Sequence, residues 1–152
     1  MKYLHTMIRT SNLEKTTDFF CKKMGLIETR RIDNENGKFT LVFLCAPDDL
    51  LNNQSTIKSP LIEITYNWPD SEGKTEKLSN GRNFGHLAFS VDNIYDYCEK
   101  LINNGVTINR PPRDGYMAFI KSPDNISIEI LQKNTPLEIC EPWASMPNTG
   151  NW

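Results

Sequence analysis

Apolar residues recur along the chain with two different periods. Leu13, Thr16, Phe20 and Met24 return every three or four positions, as do Ile94, Cys98, Leu101 and Ile102. Each set forms one apolar face of a helix, and both faces are expected to be buried. Ser11 with Glu14 predicts a capping box before the first helix, and Asp92 predicts the N-cap of the second. Gly25 and Gly105 stand where the two helices should stop. The other apolar stretches are short and strand-like: "HTMIR", "LIETRRI", "FTLVFLC" and "LIEITY", then "HLAFSV", "VTINR", "YMAFIKS" and "ISIEILQ". The order is strand, helix and three strands, stated twice.

The duplication sets the organisation. Repeat 1 covers residues 2–66 and repeat 2 covers residues 84–132, joined by the polar, turn-rich linker "NWPDSEGKTEKLSNGRN" at 67–83. In the tail at 134–152, Pro136, Pro142 and Pro147 exclude a continuous helix, so an extended arm packed by Trp143 and Trp152 is expected. A chain of 152 residues has room for one core, and residues 1–152 are read as a single domain built from the two repeats.

Composition narrows the function. An apolar fraction of 38% with no long apolar run excludes a helical membrane span. The net charge of −2, with acids and bases interspersed, leaves no basic footprint for nucleic acid, so a small-molecule partner is expected. The first residues show no export signal, which points to the cytoplasm. Cys21, Cys45, Cys98 and Cys140 follow no CxxC spacing and read as reduced thiols.

Candidate chemistry lies in four polar residues at equivalent points of the repeats. His5 and His86, the two histidines of the chain, open the first strand of each repeat; Glu63 and Glu129 interrupt the last apolar strand. A single histidine on such a strand is more often a hydrogen-bonded core residue, and a single buried glutamate more often pairs with arginine. The same two residue types at the same place in both copies favour a shared role. Carboxylates brought together in a low-dielectric site repel unless a cation intervenes. Two imidazoles and two carboxylates suit zinc, nickel, cobalt or iron better than magnesium or calcium.

At these residues, and in "LHTMIR", "IEITYNW", "FGHLAFSVDN", "AFIKSPD" and "IEIL", the chain resembles glyoxalase I, the lactoylglutathione lyase family of the vicinal oxygen chelate superfamily, over about residues 2–132. The resemblance implies an α+β fold of two βαβββ modules of the glyoxalase/bleomycin-resistance/dioxygenase type. It implies a lyase that isomerises the methylglyoxal–glutathione hemithioacetal to S-lactoylglutathione through a metal-stabilised enediolate, detoxifying methylglyoxal. His5, Glu63, His86 and Glu129 would be the metal ligands. In a homodimer, His5 and Glu63 of one chain would face His86 and Glu129 of the other. Glu129 would be the principal proton shuttle and Glu63 the carboxylate on the opposite substrate face. Arg9 and Asn67 match positions that hold the γ-glutamyl end, Arg82 matches a further anion-binding arginine, and Arg110 falls near a lysine that meets the glycyl carboxylate.

The loop "RPPRDGYMAFI" is shorter than in much of that family and brings Tyr116 and Met117 where basic residues are common. His5 in the first ligand position tips the expected metal toward Ni2+ over Zn2+, with Co2+ also compatible. Two rivals share the fold: an enzyme like methylmalonyl-CoA epimerase, and a metal-free drug-binding protein with an aromatic cleft drawn from Trp68, Phe43, Phe119 and Tyr116. The four-ligand set and the glutathione-type residues Asn67 and Arg82 favour the lyase.

Overall fold

The computed structural model describes residues 3–50, 60–79, 81 and 84–152. It divides into two compact units, Met1–Ser79 and Asn80–Trp152. Unit 1 holds β1 (His5–Arg9), α1 (Leu13–Thr17), β2 (Ile27–Asn34), β3 (Phe39–Cys45) and β4 (Leu61–Asn67). Unit 2 holds β5 (His86–Val91), α2 (Ile94–Asn103), β6 (Ile108–Arg110), β7 (Met117–Lys121) and β8 (Ser127–Gln132). The sheet orders are the same, β1-β4-β3-β2 and β5-β8-β7-β6. In each sheet the first strand of the module lies at one edge and runs parallel to the last strand beside it, which requires the helix and a hairpin to lie between them in sequence.

Strand alternation divides each sheet into a packed face and an open face. Ile8, Val42, Leu44, Ile62 and Ile64 are buried in unit 1; Ala118, Ile120, Ile128 and Ile130 are buried in unit 2. The alternate positions of the edge strands, His5, Met7 and Arg9 and likewise His86, Ala88 and Ser90, are exposed. Cutting Ile64 or Ile130 to alanine removes a fully buried side chain next to the glutamate of its strand, at a cost of about 2–5 kcal/mol.

The helices differ from the sequence expectation in detail. Asn12, not Ser11, caps α1 by accepting from the Lys15 amide at 2.9 Å. Asn93, not Asp92, caps α2 by accepting from the amides of Tyr95 and Asp96, while Asp92 pairs with Lys133. Both cap residues have the extended backbone that an N-cap needs. After Thr17 the first helix widens to a π-helical stretch, Asp18–Met24, ended by left-handed Gly25. The Thr17 hydroxyl donates to the carbonyls of Leu13 and Glu14 at this junction, in competition with the α-helical ladder. The wider turn lets the adjacent Phe19 and Phe20 both be buried, edge to face at 5.2 Å. In α2, Ile94, Cys98 and Leu101 are buried, but Ile102 is 44% exposed, so the apolar stripe is narrower than its spacing implied. Burial pushes the Cys98 thiol up to about 12, which makes it an inert core residue.

Polar locks tie helix to sheet. In unit 1 the hydroxyls of Thr10 and Thr16 meet at 2.7 Å in the core. In unit 2 buried Gln132 accepts from the Ile94 amide and donates to the Asp92 and Lys133 carbonyls, joining the end of β8 to the start of α2.

The segment after β8 folds back on unit 2. Trp143 is buried and stacks on Tyr95 at 6.0 Å, and the Tyr95 hydroxyl donates to the Glu138 carbonyl. The Leu137 amide donates to the Gly115 carbonyl. A Cβ on Gly115 would run into the Leu137 carbonyl, and its φ of +68° also favours glycine. Asn109 and Thr149 exchange two further hydrogen bonds, each 2.8 Å.

Candidate metal centre

Each open sheet face carries one histidine beside one glutamate. In unit 1, His5 lies opposite Leu61 and Glu63 is two residues further along β4; in unit 2, His86 lies opposite Ser127 and Glu129 is two residues further along β8. The equal offset puts imidazole and carboxylate on the same face. His5 Nε2 is 3.1 Å from Glu63 Oε2, and His86 Nε2 is 3.3 Å from Glu129 Oε2. The imidazoles are 40% and 44% exposed, the carboxylates 13% and 15%. The sheets therefore hold the acids, while the histidines open to solvent.

These pairs fit a metal as far as two donors can. Donors about 2.1 Å from one cation stand ~3.0 Å apart at a right angle and ~3.4 Å apart at the tetrahedral angle. The observed separations fall between these values. Among the described residues, no three His, Cys, Asp or Glu side chains gather into a metal-binding group. Each unit thus presents two of the four donors expected from the sequence.

A phenylalanine backs each pair. Phe43 is the cross-strand partner of Glu63 and meets the His5 ring edge-on at 6.0 Å; Phe119 is the partner of Glu129 and meets the His86 ring edge-on at 5.6 Å. Such contacts fix the ring plane and hence the direction of Nε2. The next strand is bulged at the same place in both units: register shifts between Glu28 and Arg30, and between Ile108 and Arg110. The extra residue brings Arg30 opposite Phe43 and Arg110 opposite Phe119. The Arg30 guanidinium lies over the Phe43 ring at 4.0 Å.

The other residues singled out in the sequence are distributed unevenly. Arg9 and Asn67 share the open face with His5 and Glu63. Glu76 from the linker occupies them, accepting from Asn67 Nδ2 at 2.6 Å and lying 4.0 Å from Arg9 Nε. Arg110 donates to the Met117 carbonyl and to Asp114. Burial alone would push the Asp114 carboxyl up, but Arg110 and the amides of Met117 and Tyr116 hold it below the ordinary carboxylate range. Arg82 lies outside the described residues. Arg30, Glu76 and the stack of Trp152 on Phe119 had no signal in periodicity or repeat; only Asp114, four residues after Arg110, was a visible partner.

Comparison with known proteins agrees with this fold. Residues 2–130 match the model of the glyoxalase/bleomycin resistance protein/dioxygenase superfamily. The lactoylglutathione lyase of Neisseria meningitidis is 36% identical over 89% of this chain and 93% of its own length. That of Escherichia coli O157:H7 is 33% identical over 88% and 93%. Among solved structures, the trypanothione-dependent glyoxalase I of Leishmania major superposes with a TM-score of 0.73 at 28% identity, covering 88% of this chain and 87% of that one. With its paired βαβββ modules and duplicated His–Glu pair, the chain belongs to the glyoxalase superfamily and, within it, to the lactoylglutathione lyase (glyoxalase I) family of enzymes.

Proposed function

We propose that the chain is a lactoylglutathione lyase acting on the hemithioacetal of methylglyoxal and glutathione, with one divalent metal held by His5, Glu63, His86 and Glu129. The observation that carries this reading is the repeated pair of imidazole and carboxylate, in equal register on two open sheet faces. When bound, the metal supplies a Lewis acid that lowers the energy of negative charge on neighbouring oxygens. Ni2+ is our preferred ion, ahead of Zn2+ and Co2+, on the strength of His5 in the first ligand position.

The residues divide the work. Glu129 takes the proton from the carbon that carries the sulfur and returns it to the adjacent carbon, passing through an enediolate. Glu63 borders the opposite face of the substrate. Its Oε1 accepts from the Thr65 hydroxyl at 3.3 Å, whereas Glu129 has His86 as its only polar partner among the described residues. A carboxylate that must move between two carbons benefits from that freedom. Arg9 and Asn67 bind the γ-glutamyl carboxylate once Glu76 gives way; Arg82 and Arg110 are further anion contacts in this reading.

Two half-sites per chain suit a homodimer in which one subunit contributes His5 and Glu63 and its partner contributes the second pair. A cytoplasmic setting fits four free thiols and a glutathione-dependent reaction.

The test is to strip the protein of metal, add back Ni2+, Co2+ or Zn2+ singly, and follow thioester formation from methylglyoxal and glutathione. Activity that returns with one ion names the metal. Tight metal binding without activity moves the substrate elsewhere, with a CoA thioester next to be assayed. No metal binding removes the reading altogether.

A further inference from the structure

The segment 134–152 supplies none of the proposed ligands, base or anion contacts, yet its Trp152 lies on the open face of unit 2. Phe119 shares that face with His86 and Glu129, because it is the cross-strand partner of Glu129 and touches the His86 ring. The opposite face of β7 carries Ala118 and Ile120, both fully buried. Trp152 stacks on Phe119 with ring centres 6.1 Å apart and planes inclined by 27°. It therefore stands one ring away from a histidine of the candidate metal centre, and it is 42% exposed.

Its position is built by the bulge of β6. The bulged residue Asn109 receives the Thr149 amide on its carbonyl and donates its side-chain amide to the Thr149 carbonyl. This two-point tether holds the chain three residues before Trp152. On one side of the Phe119–Glu129 pair the face is apolar, with Met117 opposite Leu131; on the other side Lys121 lies opposite Ser127, and Arg110 is the partner of Phe119 on β6.

We propose that Trp152, stacked on Phe119, forms an apolar wall that receives the aldehyde-derived substituent of the substrate and so helps to set which α-ketoaldehydes are accepted. The inference rests on the glyoxalase I reading. The glutathione part of every substrate is the same, so a wall of this kind acts on the variable group alone. An aromatic ring can stack in the plane set by Trp152, whereas a methyl group gains little from it.

The experiment compares S-benzylglutathione and S-methylglutathione binding to the metal-loaded wild type, Trp152→Ala and Trp152→Phe by calorimetry, with metal content as the control for an intact site. Trp152→Ala is expected to weaken the benzyl thioether by about three- to tenfold and the methyl thioether by less than about twofold. Trp152→Phe should restore most of the loss, and kcat/KM for phenylglyoxal against methylglyoxal should follow the same ratio. Equal weakening of both thioethers, or no change in either, overturns the proposal. If the wild type binds neither thioether, the glutathione reading fails independently, and tryptophan emission decides the position of Trp152. A smaller quench by Ni2+ in Trp152→Phe than in wild type keeps the ring at the metal, and an equal quench removes it.

Discussion

The two units share topology, the register of histidine and glutamate, the backing phenylalanine and the bulge in the second strand, but they differ one step further out. Next to the His–Glu pair, unit 1 places Arg9 opposite Thr65, and unit 2 places Ser90 opposite Leu131. Phe43 is covered by the guanidinium of Arg30, Phe119 by the indole of Trp152. The first unit is thus the more polar around its pair, and the second adds Leu131 and an indole. Both copies keep the same register of histidine and glutamate, while the surroundings differ. On the proposed function, that asymmetry suits a substrate with a charged thiol end and a small carbonyl end: the carboxylate donors would come from unit 1 and the base from unit 2.

The largest expected effect tests whether the two glutamates have different roles. Glu129→Gln should lower turnover by about 10²- to 10⁴-fold, the range of a lost general base, while much of the metal stays bound. Glu63→Gln should cost less in turnover and more in metal affinity, because Glu63 is already fixed by Thr65. Steady-state rates with metal analysis of both variants decide this. Equal losses in the two would mean that the halves are interchangeable.

Mixing tests whether the halves come from different chains. His5→Ala and His86→Ala should each be nearly inactive alone. In a heterodimer of the two, one site combines both defects and the other combines two intact halves, so random subunit exchange should return about a quarter of wild-type activity. Mixing that restores nothing, with exchange verified by mass, would place both halves of a working site in one chain.

Much of this frame was legible in the sequence, for identifiable reasons. Strand alternation fixes which face a residue takes, so spacing alone places Arg9 with His5 and Asn67 with Glu63, while the pairing of β1 with β4 that joins them follows from the fold. The helix caps were misplaced by one residue because Ser11 and Asn12, like Asp92 and Asn93, are both competent caps, and backbone angles choose between them. The π-helical stretch was not visible, since spacings of three and four describe an α-helix and the wider turn follows from burying Phe19 and Phe20 together. The contacts of Glu76 and Trp152 depend on how the linker and the segment after β8 fold back, which no local pattern encodes.

A reciprocal exchange sharpens the same contrast at smaller amplitude. Thr65→Val removes the hydroxyl that holds Glu63, and should weaken metal binding by about two- to tenfold, the worth of one hydrogen bond. Leu131→Thr places a hydroxyl at the matching point beside Glu129. It should lower kcat severalfold while leaving metal affinity unchanged or improved. If Leu131→Thr leaves kcat untouched, the freedom of Glu129 has no bearing on the reaction.

The smallest effects concern the carboxylates already seated on the candidate substrate-binding arginines. Glu76 rests on Arg9 and Asn67 in unit 1, and Asp114 on Arg110 in unit 2. Glu76→Gln should lower KM by about two- to fivefold with kcat unchanged, the scale of an exposed ion pair, since an incoming carboxylate no longer displaces another. Asp114→Asn should lower KM less, because Arg110 keeps its bond to the Met117 carbonyl. Asp114 instead has a stability signature. Its folded pKa is lowered, so its contribution is present above the unfolded pKa and is lost as pH falls through the folded value. The gap in urea midpoint between wild type and Asp114→Asn should be open at neutral pH and close in acid below the ordinary carboxylate range. A gap that persists there would mean that Asp114 acts through its amide contacts alone, and that its charge does not hold Arg110.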